Sequence, residues 1–95
     1  MINVSWIGLD QSDALYVSVE KALADVQKHC STVSSFRAVL THSQHESPKN
    51  KVSLHAIAFG ANYDASAADD NMYLAIGKAA DKLESQISRA SKVLR

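Results

Sequence analysis

Ile2, Val4 and Trp6 alternate with Asn3, Ser5 and Ile7, the period-two pattern of a strand with one buried face. Gly8 ends that run. Leu15, Val19, Ala22, Leu23, Val26 and Cys30 then recur at helical spacing. Ser12 is placed to cap this helix, and Asp13 in its first turn suits the positive end of the dipole, so the pattern predicts a helix over about residues 13–29. Phe36, Ala38 and Leu40 alternate with Arg37, Val39 and Thr41, a second strand. Ser43 to Asn50 carries the single proline, Pro48, and reads as an exposed loop or a frayed hairpin end. Val52, Leu54, Ala56 and Ala58 alternate with Ser53, His55, Ile57 and Phe59, a third strand. Gly60-Ala61-Asn62 is expected to turn, and Tyr63, Ala65 and Ala67 to form one face of a short fourth strand.

Asp69, Asp70 and Asn71 cluster where a last helix should begin, supplying acceptors for its free amide donors. At about 100° per residue, Met72, Ile76, Ala79, Leu83, Ile87, Ala90 and Leu94 share one face of that helix. Lys78, Lys82, Arg89 and Lys92 fall nearly opposite, Ser85 fills the gap between them, and Asp81 and Glu84 lie to one flank. The order β-α-β-β-β-α predicts an α+β fold, a four-stranded mixed sheet with both helices packed on one face. The first crossover should make strands one and two parallel, and the hairpins antiparallel.

With 95 residues, the chain should form a single domain over 1–95. No apolar run approaches the roughly 18–20 residues of a membrane span, and Met1-Ile2-Asn3-Val4 lacks the basic start of a signal peptide. Cys30, the one cysteine, has no internal partner for a disulfide, which points to a reduced, cytoplasmic setting.

Ten basic and ten acidic side chains sum to a formal charge of zero, but they are unevenly spread. Residues 1–29 hold Lys21 and Lys28 against Asp10, Asp13, Glu20 and Asp25; residues 71–95 hold Lys78, Lys82, Arg89, Lys92 and Arg95 against Asp81 and Glu84. An anion-binding surface should therefore use the C-terminal segment and the middle of the chain, where Arg37 lies.

Other chemistry is thinly represented. His42, His45 and Glu46 sit near one another in sequence but form no closed ligand set, and the histidines read as exposed loop residues. Cys30 and His29 are adjacent on a helix and so do not face each other as a nucleophile–base pair would. His55 lies on a strand face where a hydrogen-bonded or RNA-facing imidazole fits. No glycine-rich phosphate loop can be built from three glycines so spaced. These features predict a protein that is not an enzyme, with no cofactor, no metal and no small-molecule substrate.

Ala65-Ser66-Ala67, Asn71-Met72-Tyr73, Ala75-Ile76 and Asp81-Lys82-Leu83 with Gln86 resemble the C-terminal signature of bacterial ribosome hibernation-promoting factors, the sigma-54 modulation protein family. Asp13-Ala14-Leu15 with Val19 resembles the start of that family's first helix, and Val52 to Ala58 its third strand. The resemblance covers essentially the whole chain, at the length of the short form. It implies the same β-α-β-β-β-α fold and a non-enzymatic role: binding 16S rRNA of the small ribosomal subunit where mRNA and tRNA sit, silencing translation or promoting ribosome hibernation under stress. Lys82 matches a family lysine, Arg89 and Lys92 stand at usually basic positions, and Tyr73 matches an aromatic at the helix start, expected to anchor it by packing. The expected rRNA contacts are Lys78, Lys82, Arg89 and Lys92, with Lys28 and Arg37.

The sequence departs from the family pattern at Asn71 and Gly77, where aspartates are usual, and at Tyr16, Ala22 and Asp25, where the first helix is usually basic. A second reading follows from that acidic first helix and the neutral total: a diverged paralogue serving as a protein–protein interaction module without strong ribosome binding.

Overall fold

The chain folds as β1 (Ile2–Ile7), α1 (Asp13–His29), β2 (Val33–His42), β3 (Asn50–Ala58), β4 (Ala61–Asp69) and α2 (Met72–Val93). The structure, a computed structural model, describes residues 2–30 and 33–93, with side chains described through residue 90. The strands order as β1-β2-β3-β4 in one sheet, β1 parallel to β2 and the later pairs antiparallel. This is the α+β arrangement that the periodicity predicts.

Strand register sorts side chains onto two faces. Val4, Ala38, Leu54 and Ala65 stand in one row across the sheet; Asn3, Arg37, His55 and Asp64 stand in the next. The first row belongs to the inner face, where Phe36, Ala38, Leu40, Val52, Leu54 and Ala56 are buried. Both helices cover that face. Val19, Leu23 and Val26 come down from α1, and Met72, Ala75, Ile76, Ala79, Leu83 and Ile87 from α2. Burying a side chain of this size contributes about 1.5–3 kcal/mol, so the two amphipathic helices and the alternating strands hold each other in place. The second row faces away from the helices.

Local chemistry fixes the element ends. Ser12 caps α1, its hydroxyl accepting from the Leu15 amide at 3.2 Å. Asn71 caps α2, its side-chain oxygen accepting from the amides of Tyr73 at 2.9 Å and Leu74 at 3.4 Å. Asparagine caps as well as aspartate does, so this departure from the family pattern leaves the helix start intact. Tyr73 does not pack there as expected: it is 51% exposed. Gly8 (φ 76°) carries the chain out of β1 so close to β2 that a Cβ would stand 2.2 Å from the His42 carbonyl oxygen.

Three boundaries differ from the sequence expectation. The β3–β4 turn is Phe59-Gly60 rather than Gly60-Ala61-Asn62: Ala58 pairs with Ala61, and both turn residues have positive φ (54° and 72°). That is the geometry of a two-residue type I′ turn, which follows the twist of the strands it joins. β4 is consequently a full strand of nine residues, not a short one. β2 also starts earlier, and the loop between β2 and β3 is shorter than expected at both ends: β2 extends through His42 and β3 begins at Asn50, so neither is a loop residue. The His42 Nδ1–H donates to the Asn50 side-chain oxygen at 2.6 Å, and buried Asn50 donates in turn to the Asp70 carbonyl at 2.8 Å. Cys30 lies buried at the end of α1, with its thiol 3.8 Å from the Ser88 hydroxyl.

Candidate nucleic-acid interface

Lys78, Lys82 and Arg89 lie along one outer edge of α2, because their spacing of four and seven residues returns to the same side of a 3.6-residue helix. That edge overlooks β4, which has a neighbour on one side only. The cations reach toward it. Lys78 Nζ pairs with Asp69 Oδ2 at 2.6 Å, at the end of β4. Lys82 Nζ donates to the Ser66 carbonyl at 3.1 Å, in the middle of β4. Arg89 Nε donates to the Ser85 carbonyl one turn back along α2, at 3.4 Å. Asp81, Lys82, Ser85, Gln86 and Arg89 line an open depression of about 300 Å³. The side chain of Lys92 lies outside the described residues.

The Lys78–Asp69 pair holds the Asp69 carboxyl below its ordinary value of 3.8, chiefly through the hydrogen bond from Lys78 and next through the Asn71 amide. Both groups reach solvent, so the pair is exchangeable: an incoming phosphate can take the ammonium from the carboxylate. Lys82 is held by a neutral carbonyl rather than by a carboxylate. The three cations thus form a row whose one ion-paired acid among the described residues is Asp69, with Asp81 beside Lys82 and Arg89 in the depression.

The other two expected contacts lie elsewhere. Lys28 sits on the last turn of α1 and lines the groove between the helices, about 570 Å³ in volume, with Asp25, His29, Gly77, Asp81 and Glu84. His29 Nδ1 bridges that groove to Glu84 at 2.9 Å. Three carboxylates against one lysine make the groove acidic at neutral pH. Arg37 points from the opposite face of the sheet, exposed, in register with Asn3 and His55. His55 there is hydrogen-bonded to Asp64. The fold therefore unites Lys78, Lys82 and Arg89 on one surface, sets Lys28 in the groove, and puts Arg37 behind the sheet. Ser85 and Gln86 join the cationic row, although in sequence Ser85 only fills a gap and Gln86 only belongs to the signature. Asp69 belongs by sequence to the helix start, and nothing in its spacing signals a partnership with Lys78.

Residues 2–95 match the family model described as sigma 54 modulation protein / S30EA ribosomal protein. A ribosome hibernation promoting factor from Azotobacter vinelandii is 33% identical over 86 residues, covering 90% of this chain and 78% of that protein. Among solved structures, a ribosomal subunit interface protein from Coxiella burnetii superposes with a TM-score of 0.83 at 26% identity, covering 96% of this chain and 97% of the other. The Protein Y N-terminal domain of Thermus thermophilus superposes with a TM-score of 0.80 at 25% identity, covering 92% and 93% respectively. With the family model spanning nearly the entire sequence and the same fold in these structures, the chain belongs to the sigma 54 modulation protein / S30EA ribosomal protein family.

Proposed function

We propose that this protein binds the small ribosomal subunit through the outer edge of α2 and keeps ribosomes out of translation. Lys78, Lys82, Arg89 and Lys92 would contact phosphates of 16S rRNA in the channel used by mRNA and tRNA, in a stress response located in the cytoplasm. The role is occlusion rather than catalysis. The observation that carries this reading is the row of cations at Lys78, Lys82 and Arg89, held by exchangeable or neutral partners on one helix edge. The names of a 33% identical relative, a ribosome hibernation promoting factor, and of a structural neighbour, a ribosomal subunit interface protein, supply the partner.

In this reading the expected contacts carry unequal weight. Lys28 stands among Asp25, Asp81 and Glu84, where a phosphate would meet net negative charge, so its share is small. Arg37 faces the other way and contributes only if rRNA wraps both sides of the sheet. Co-sedimentation with purified small subunits tests the proposal: binding at low salt that fades as salt rises supports it, and folded protein left in the supernatant at low salt sinks it.

The acidic interhelical groove favours a second reading, an interaction module that binds a basic protein partner. Neutralising the α2 row separates the two. Ribosome binding requires that row, whereas a partner seated in the groove does not.

A further inference from the structure

The sheet has two outer edges, and they are protected differently. At β4, Lys82 caps a backbone carbonyl and the Lys78–Asp69 pair closes the end of the strand. Charged side chains laid along an edge strand are a recognised way of keeping a further strand from adding. β1 has no such cover. Among the described residues, no hydrogen bond other than those to β2 reaches its backbone. Ile2-Asn3-Val4-Ser5-Trp6-Ile7 contains no charge, no proline and no bulge, so alternate amides and carbonyls stand open along its free side.

The side chains of β1 are also incompletely covered. Phe36, Ala38 and Leu40 of β2 are 8%, 0% and 0% exposed, while Ile2, Val4 and Trp6, their register partners, are only half-buried. α1 packs on α2 and β2, and Ile2, Val4 and Trp6 lie against the core without being fully covered by it. An unpaired backbone and a half-open apolar row thus coincide on one strand.

We infer that β1 is a self-association edge, at which two copies of the chain pair β1 against β1, antiparallel about a two-fold axis, into a sheet of eight strands, four from each copy. The strand's own pattern selects a second copy. Inner residues must meet inner residues, so paired residue numbers sum to an even value. The pairing that sums to eight sets Val4 against the second copy's Val4, Ile2 against its Trp6, and Asn3 against its Ser5. Apolar meets apolar, amide meets hydroxyl, and no like charges oppose, with an aromatic–β-branched pair at each end. A two-fold axis repeats each of these contacts. The α2 cations lie at the opposite edge of the sheet and remain open in this dimer, so self-association is independent of the proposed rRNA contact.

Six residues a side is well below the roughly 20–30 of a standard interface, so the dimer is weak, with a dissociation constant of roughly 100 µM to 1 mM. Sedimentation velocity from about 10 µM to about 1 mM should show a monomer that shifts to a dimer. The double variant Asn3→Lys/Ser5→Lys changes two exposed open-face positions and places four ammonium groups around the seam; it should remain monomeric throughout, with an unchanged circular dichroism spectrum. Isotope-filtered NMR on a mixture of labelled and unlabelled protein should show contacts between Trp6 of one molecule and Ile2 of another. A wild-type monomer at the highest concentration overturns the inference. So does a double variant that dimerises like the wild type, which would locate the interface elsewhere. Should the variant fail to fold, the filtered contacts decide: their absence from a dimeric sample overturns the β1 assignment.

Discussion

Gly77→Ala should stabilise the protein, and the sign follows from one residue's surroundings. Gly77 lies inside α2, eighteen residues ahead of the chain end in the sequence, and an added Cβ would meet nothing within 4 Å. No clash opposes the methyl group, and no new packing rewards it. What remains is the helix-interior difference between glycine and alanine, about 0.8–1 kcal/mol, which comes from the freedom glycine loses on folding. For a domain of this size, about 1 kcal/mol raises the melting temperature by roughly 4–8 °C. Urea unfolding followed by the fluorescence of Trp6, the sole tryptophan, reads the change directly; with a slope of about 1 kcal/mol/M, the midpoint moves up by roughly 1 M. The α2 cations should be unaffected, because Gly77 lines the groove on the other flank of the helix. An unchanged or lowered midpoint would refute the reasoning, showing that the helix at Gly77 needs a backbone that alanine does not accept.

Gly8→Ala should act the other way: a left-handed φ and a carbonyl 2.2 Å from the new Cβ predict a loss of about 2 kcal/mol or more, read as a lowered urea midpoint. Leu83→Ala removes a side chain with 0% exposure under the centre of α2 and should cost about 2–5 kcal/mol by the same assay. Asp69 has its carboxyl held below the ordinary value of 3.8 in the folded chain, so it adds stability above that value that is lost as pH falls through the folded pKa. Acid unfolding of Asp69→Asn should accordingly show a shallower loss of stability below about pH 4 than the wild type. The same variant frees Lys78 and removes a negative charge from the row, so it should tighten small-subunit binding at low salt; unchanged binding would mean that Lys78 makes no phosphate contact.

The strand and helix periods were legible because each element buries one face and nothing else in the sequence competes with that pattern. Ser12 could be placed as a cap on chemistry alone, and the Asp69-Asp70-Asn71 cluster as the start of α2, but not which of the three caps it. The β3–β4 turn was not legible: a phenylalanine at positive φ is uncommon, and glycine drew the turn one residue onward. β4 looked short because alanine, asparagine and aspartate are weak strand formers, and its length is set by pairing with β3 from Ala58–Ala61 out to Asn50–Asp69. The candidate site was half legible. Helical spacing placed Lys78, Lys82 and Arg89 together, but not the contacts that their long side chains make with Asp69 and Ser66. Arg37 carries the right charge on the wrong side of the sheet, a consequence of the register of β2 that its alternation with Phe36 and Ala38 already contained.

The central claim is that the α2 row carries binding to the small subunit. The most direct measurement is the salt dependence of small-subunit co-sedimentation for the wild type and for Lys78→Gln/Lys82→Gln/Arg89→Gln/Lys92→Gln, with urea unfolding as the control for folding. Four phosphate contacts predict a wild-type slope of about −3 in log affinity against log salt. The quadruple variant should lose nearly all binding at low salt, and each single change should reduce the slope by about 1. Retention of wild-type affinity and slope in the folded quadruple variant would contradict the account and assign the ribosome contact to another surface.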